Sequence, residues 1–123
     1  MINRRILVVK DERLIARDIF MQLRDLGYEP LGPAYTGEQA IEMAEKLRPN
    51  LVLMDVHLGS AMDGIEAAQT IRSKVGSPTV FLSAFTDSTN LERVKLTAPA
   101  GYLGKPFSEH ELRDVIAEVL KDC

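Results

Sequence analysis

Leu51-Val52-Leu53-Met54 is four apolar residues in a row, and the run stops at a carboxylate, Asp55. Two further runs share its character: Ile6-Leu7-Val8-Val9, followed by Lys10-Asp11-Glu12, and Thr79-Val80-Phe81-Leu82, followed by Ser83-Ala84. All three are continuous rather than alternating, and two are rich in β-branched residues. A strand reads this way when both of its faces are covered, as inside a parallel sheet flanked by helices. Two weaker strands lie at Glu29 to Tyr35, interrupted by Pro30, Gly32 and Pro33, and at Gly101-Tyr102-Leu103-Gly104. Proline removes a ladder donor and glycine has no side chain to pack, so these two suit the sheet edges.

Helical patterns fill the intervals. Leu14, Ile15, Ile19, Leu23 and Leu26 make a stripe that stops at Gly27, a C-terminal cap. Thr36-Gly37-Glu38-Gln39 reads as a capping box that opens a helix through Ile41, Ala44 and Leu47, with Pro49 past its end. Asp63-Gly64-Ile65-Glu66 opens another, running to about Lys74. Ser108-Glu109-His110-Glu111 opens the last, with Leu112, Val115, Ile116, Val119 and Leu120 on one face. The stretch from about Asp87 to Ala98 has only a thin stripe of Leu91, Val94 and Leu96, which makes it the least firmly held helix. Strand and helix alternate five times. That pattern predicts an α/β fold: a single, doubly wound, five-stranded parallel sheet in the order 2-1-3-4-5 with right-handed crossovers. The 123 residues fit one domain, 1–123, with no repeat or linker.

Charge and composition exclude several classes. Eighteen acids against fifteen bases give a net charge of −3, where a general nucleic-acid backbone binder would carry a basic excess. The same balance argues against attraction to anionic membrane. No apolar run approaches the ~18 residues of a membrane span. The basic start is followed by only Ile6 to Val9 before Lys10-Asp11-Glu12, too short for an export signal. The single cysteine, Cys123, rules out an internal disulfide framework. A cytoplasmic location is the expectation.

In an open α/β sheet, ligands bind outside the carboxyl ends of the strands. The residues expected there are Lys10, Asp11 and Glu12 after the first strand, Asp55 at the end of the third, Ser83 at the end of the fourth with Ala84 following, and Lys105-Pro106-Phe107 after the fifth. Beside them lies the longest irregular loop, Val56 to Met62. Carboxylates, a hydroxyl and an ammonium on one edge suit phosphoryl transfer to an aspartate. The carboxylate is the nucleophile, and cations and hydrogen-bond donors hold the peripheral oxygens. Oxygen ligands on the same edge suit magnesium.

Ile6-Leu7-Val8-Val9-x-Asp11-Glu12, Leu51-Val52-Leu53-Met54-Asp55-Val56-x-Leu58, Met62-Asp63-Gly64-Ile65-Glu66, Phe81-Leu82-Ser83-Ala84 and Gly101-Tyr102-Leu103-Gly104-Lys105-Pro106-Phe107 follow one another along the chain. In this order they resemble the receiver domain of two-component response regulators, a flavodoxin-like fold, over nearly the whole sequence. The resemblance implies that Asp55 accepts phosphate from a histidine kinase or a histidine phosphotransfer protein. It implies that Asp11, Asp55 and the carbonyl of His57 hold Mg²⁺, that Ser83 and the Ala84 N–H bind phosphoryl oxygens, and that Lys105 pairs with them. It implies a cis bond before Pro106 and a switch role for Ser83 and Tyr102. The output face would be the 87–98 helix, the last strand and the last helix. That face would serve a downstream effector domain or protein, and it is also open to a homodimer. Such a domain is a phosphoacceptor that assists its own phosphorylation and dephosphorylation, not an enzyme on an external substrate.

One position departs from the pattern. The family usually has two acids in tandem after the first strand, and here the first is Lys10. The usual pocket of three carboxylates and one lysine carries −2 and invites a divalent ion, whereas Asp11 and Asp55 against Lys10 and Lys105 carry no net charge. At ~4 Å and an effective dielectric of ~20, each charge pair is worth at most ~4 kcal/mol, enough to cost metal affinity orders of magnitude. Glu12 begins the helix and is expected to point elsewhere. Lys10 is therefore either a lesion in a phosphorylatable domain or an internal cation that stands in for metal. Such a cation would bias the domain toward one state. The alternative function is an atypical, phosphorylation-independent interaction module in which Lys10 already pairs with Asp55. A flavodoxin-type cofactor binder would show a Ser, Thr and Gly-rich loop after the first strand, and this loop is Lys10-Asp11-Glu12-Arg13. An aspartyl-phosphate hydrolase would place an acid two residues after the nucleophile, where His57 stands. His57 and His110 lie far apart and pair with no cysteine, so their side chains read as solvated.

Overall fold

The computed structural model describes residues 4–58, 62–84, 100–105 and 107–120, with Ser83 and Ala84 as backbone. The elements are β1 (Arg5–Val9), α1 (Arg13–Asp25), β2 (Glu29–Ala34), α2 (Gly37–Leu47), β3 (Leu51–Asp55), α3 (Gly64–Lys74), β4 (Thr79–Ala84), β5 (Gly101–Lys105) and α4 (Glu109–Leu120). The five strands form one parallel sheet in the order β2-β1-β3-β4-β5. The 87–98 segment, Pro106 and Cys123 lie outside the described residues.

The three apolar runs are buried along their whole length because the pleat sends alternate side chains to opposite faces, and helices cover both. Leu7, Val9, Val52, Met54 and Phe81 pack against Ala40 and Ala44 of α2 and Ile65 and Ile71 of α3. Ile6, Val8, Leu51, Leu53, Val80 and Leu82 pack against Ile19 and Leu23 of α1 and Leu112 and Ile116 of α4. Each fully buried side chain of this size contributes about 1.5–3 kcal/mol over its exposed state, so the two layers hold the sheet rigid from both sides.

Helix ends follow the local chemistry. The Thr36 Oγ1 accepts from the Gln39 N–H, and the Gln39 Oε1 accepts from the Tyr35 N–H. Asp63 Oδ1 accepts from the Glu66 N–H. Ser108 and Glu111 form a reciprocal capping box, each side chain accepting from the other's N–H at 3.1 Å. Gly27, at φ +93°, adopts the left-handed conformation that ends α1. At the end of α2 the stop is Arg48 in the left-handed region, ahead of Pro49.

Strand boundaries differ from the sequence expectation at β2, at β4, which runs on through Ala84, and at β5. Lys105 lies within β5, paired with Ala84, rather than after the strand. β2 ends at Ala34, one residue short of Tyr35. The β5 shift matters for the site: a residue in register has its backbone direction set by the ladder.

Candidate functional site

Strand register assembles the site. Val9 of β1 is level with Met54 of β3, so the next residues, Lys10 and Asp55, lie side by side. Asp55 is level with Leu82, Ser83 with Gly104, and Ala84 with Lys105. Asp55 is 1% exposed, and both carboxylate oxygens are occupied. The Lys10 ammonium donates to Oδ2 at 2.7 Å. The Lys105 ammonium donates to Oδ1 at 3.0 Å, and the His57 N–H donates to the same oxygen at 3.2 Å. Lys10 is itself held by its own N–H, which donates to the Ala34 carbonyl at 3.0 Å. Its side chain is only 5% exposed, against 30% for Lys105. The two cations thus differ in freedom, and Lys105 is the one with room to move.

Their electrostatics differ in the same sense. Burial is the largest single influence on each and works against the charged form. For Lys10, the hydrogen bond to Asp55, with the charges of Asp55 and Glu12, outweighs burial and holds its pKa above 10.5. For Lys105, burial together with the neighbouring Lys10 outweighs the attraction of Asp55 and holds its pKa below 10.5. The partners of Lys10 thus offset its burial, and those of Lys105 do not.

The other expected residues fall as follows. Asp11 is exposed, with Oδ1 3.9 Å from the Lys10 ammonium. Glu12 does not point away as its place at the helix start suggested. Its Oε1 lies 3.5 Å from Lys10, because as the N-cap of α1 it makes no capping bond and its side chain can turn back toward the cation. The His57 side chain is exposed, as expected, while its N–H serves the site. Tyr102 is half-buried and packs on the α2–α3 side of the core. Ser83 and Ala84 have the right register, but the side-chain role expected of Ser83 lies outside the described residues, as does the bond before Pro106.

Sequence reasoning saw Gly64 only as part of a helix start. A Cβ there would collide with the Asp55 carbonyl oxygen. The Gly64 N–H donates to the Val56 carbonyl at 3.1 Å, so α3 begins directly against the site backbone. The signal was present in the Asp63-Gly64 pair, but the reason is a close approach between distant segments.

The divalent-ion site implied by the resemblance can be tested on these contacts. Both Asp55 oxygens already accept from ammonium groups, and Lys10 also attracts Asp11 and Glu12. A divalent ion at ~4 Å from one ammonium meets a repulsion on the order of 8 kcal/mol at an effective dielectric of ~20, before solvent screening. Among the described residues no group of three or more His, Cys, Asp and Glu is placed to hold a metal. As arranged, these residues do not fit a divalent ion.

A parallel sheet of this order with a buried aspartate and a lysine at its carboxyl edge defines a signalling receiver. Residues 6–117 match the response regulator receiver domain family, and the chain belongs to it. The transcriptional regulatory protein PdtaR of Mycobacterium tuberculosis is 43% identical over 111 residues, covering 90% of this chain and 54% of that protein. The signal receiver domain of a modulated diguanylate cyclase from Desulfovibrio desulfuricans matches with a TM-score of 0.91 at 34% identity, over 98% of this chain and 96% of that one. The receiver domain of the sensor histidine kinase PA1611 from Pseudomonas aeruginosa was solved with a magnesium ion coordinated in its active-site cleft. It matches with a TM-score of 0.88 at 30% identity, over 98% of this chain and 99% of that one. The chain spans about half the length of the curated relatives it matches. Among the described residues no helix is long and apolar enough to cross a membrane.

Proposed function

We propose that this receiver domain takes a phosphoryl group on Asp55 from a histidine kinase or a histidine phosphotransfer protein. The observation that carries the reading is the buried Asp55 carboxylate with an ammonium on each oxygen. An Asp55 oxygen attacks phosphorus, the bond from phosphorus to the donor nitrogen breaks, and the imidazole leaves with the electron pair. The acceptor's charge rises from one negative to two, and two ammonium groups are in place to balance it. Lys105 follows the phosphoryl oxygens, since it is the less confined cation. Ser83 and the Ala84 N–H complete the oxygen contacts. Their movement, with Tyr102, passes the change to the face of β5 and α4, where an effector or a second copy docks.

The Lys10 contact at 2.7 Å also favours a second reading, a receiver locked by its internal ion pair that works as an interaction module without phosphorylation. One experiment separates the two. The chain is incubated with acetyl phosphate in Mg²⁺ buffer and weighed intact. The first reading expects one added phosphoryl group, released by hydroxylamine as an acyl phosphate and mapped to the peptide carrying Asp55. An unmodified wild type beside a modified Lys10→Glu variant supports the second.

A further inference from the structure

We propose that the Lys10 ammonium does here the electrostatic work of a bound divalent ion, so that phosphoryl transfer to Asp55 proceeds without metal. The inference rests on Asp55 being the acceptor. Three observations carry it. The first is position: the Lys10 Nζ lies 2.7 Å from Asp55 Oδ2 and is 5% exposed, so its charge is fixed at the acceptor rather than swinging in solvent. The second is charge. An acid with a divalent ion bound to it contributes one net positive charge to such a pocket, and one lysine contributes the same. Substituting Lys10 for the first acid therefore leaves the charge around an acyl phosphate unchanged, with no ion to be recruited. The third is donor capacity. An ammonium has three donors, and the Asp55 bond uses one. Glu12 lies 3.5 Å away and mostly in solvent, leaving Lys10 able to reach a phosphoryl oxygen beside Asp55.

The chemistry balances without further reactants. With acetyl phosphate as donor, the Asp55 carboxylate attacks phosphorus, the bond from phosphorus to the acetyl oxygen breaks, and acetate departs with the electron pair. No proton transfer is needed. A charge already in place at the reacting oxygen requires no reorganisation as the new negative charge develops, which is where such groups contribute most.

The test measures the phosphorylation rate by intact mass for wild type, Lys10→Met and Lys10→Glu, each in Mg²⁺ and in EDTA. Thermal unfolding with and without Mg²⁺ is recorded in parallel. The wild-type rate is expected to be the same in EDTA as in Mg²⁺, and its unfolding temperature unmoved by the ion. Lys10→Met removes the charge while keeping a side chain of similar length, and is expected to lose roughly a hundredfold of the rate in EDTA. Lys10→Glu restores the acid, so it is expected to be inert in EDTA, to accept phosphate in Mg²⁺, and to be stabilised by the ion. A wild type that accepts phosphate only in Mg²⁺ overturns the inference and leaves the proposed function standing. A Lys10→Met rate equal to wild type in EDTA does the same. A wild type unmodified in both buffers overturns the proposed function and this inference together.

Discussion

Two clusters of acids and bases in this molecule look alike on paper and do different work. On α4, the Arg113 guanidinium meets Asp114 at 3.2 Å, with His110 Nε2 at 3.6 Å from the same carboxylate. At the carboxyl edge of the sheet, Lys10 and Lys105 meet Asp55 at 2.7 and 3.0 Å. Lengths barely separate them; solvent does. Asp114 is 61% exposed and Asp55 is 1% exposed. An exposed pair trades contacts with water for contacts with its partner and gains about 0–1 kcal/mol. In a buried cluster each member has given up its hydration, so the partners become indispensable to one another. The α4 cluster decorates a surface, whereas the Asp55 cluster dictates the state of the site.

The largest test of that contrast is Asp55→Asn. Removing the shared anion leaves buried Lys10 with only the partly solvated Asp11 and Glu12 at 3.9 and 3.5 Å as counter-charges, and urea unfolding at neutral pH is expected to show a loss of about 3 kcal/mol, the low end for breaking a buried pair. A loss under about 1 kcal/mol would place the two clusters in the same class. Next comes pH. Lys10 holds its proton more tightly in the folded chain than in the unfolded one, so its stabilisation is complete below pH 10.5 and declines as pH climbs through the higher folded value. The stability gap between wild type and Lys10→Met, about 2 kcal/mol for a hydrogen-bonded charge, is expected to stay level from pH 7 to 10 and to narrow above 10.5. A gap that already narrows near pH 9 would show that Lys10 gains no charge-holding environment on folding. The smallest effect belongs to the surface. Asp114→Asn is expected to change stability by less than about 0.5 kcal/mol, and added salt removes most of even that.

The sheet was readable because its signal is local. Leu51 to Met54 could hardly be anything but a strand covered twice, and the glycines and prolines of the two weak runs put them at the edges. The site was readable to the extent that it depends on strand ends: Lys10, Asp55 and Lys105 meet because their strands are in register. What escaped the sequence depends on how distant pieces approach. Glu12 turning back toward Lys10 is a matter of side-chain rotation at an unused cap. The demand for glycine at 64 comes from the Asp55 carbonyl, nine residues earlier and on another element. The reach of β5 through Lys105 is set by pairing with Ala84, for which Gly104-Lys105-Pro106 gave no local sign.

The rim of the sheet at β2 has its own bearing on how the protein behaves in a crowded solution. Two of the six residues of that strand, Pro30 and Pro33, have no N–H to offer, Gly32 adopts φ +90°, and the pairing with β1 slips between Leu7 and Val9. A border so poor in donors and so irregular is a bad template for a foreign strand. Self-association on that side by extending the sheet is discouraged.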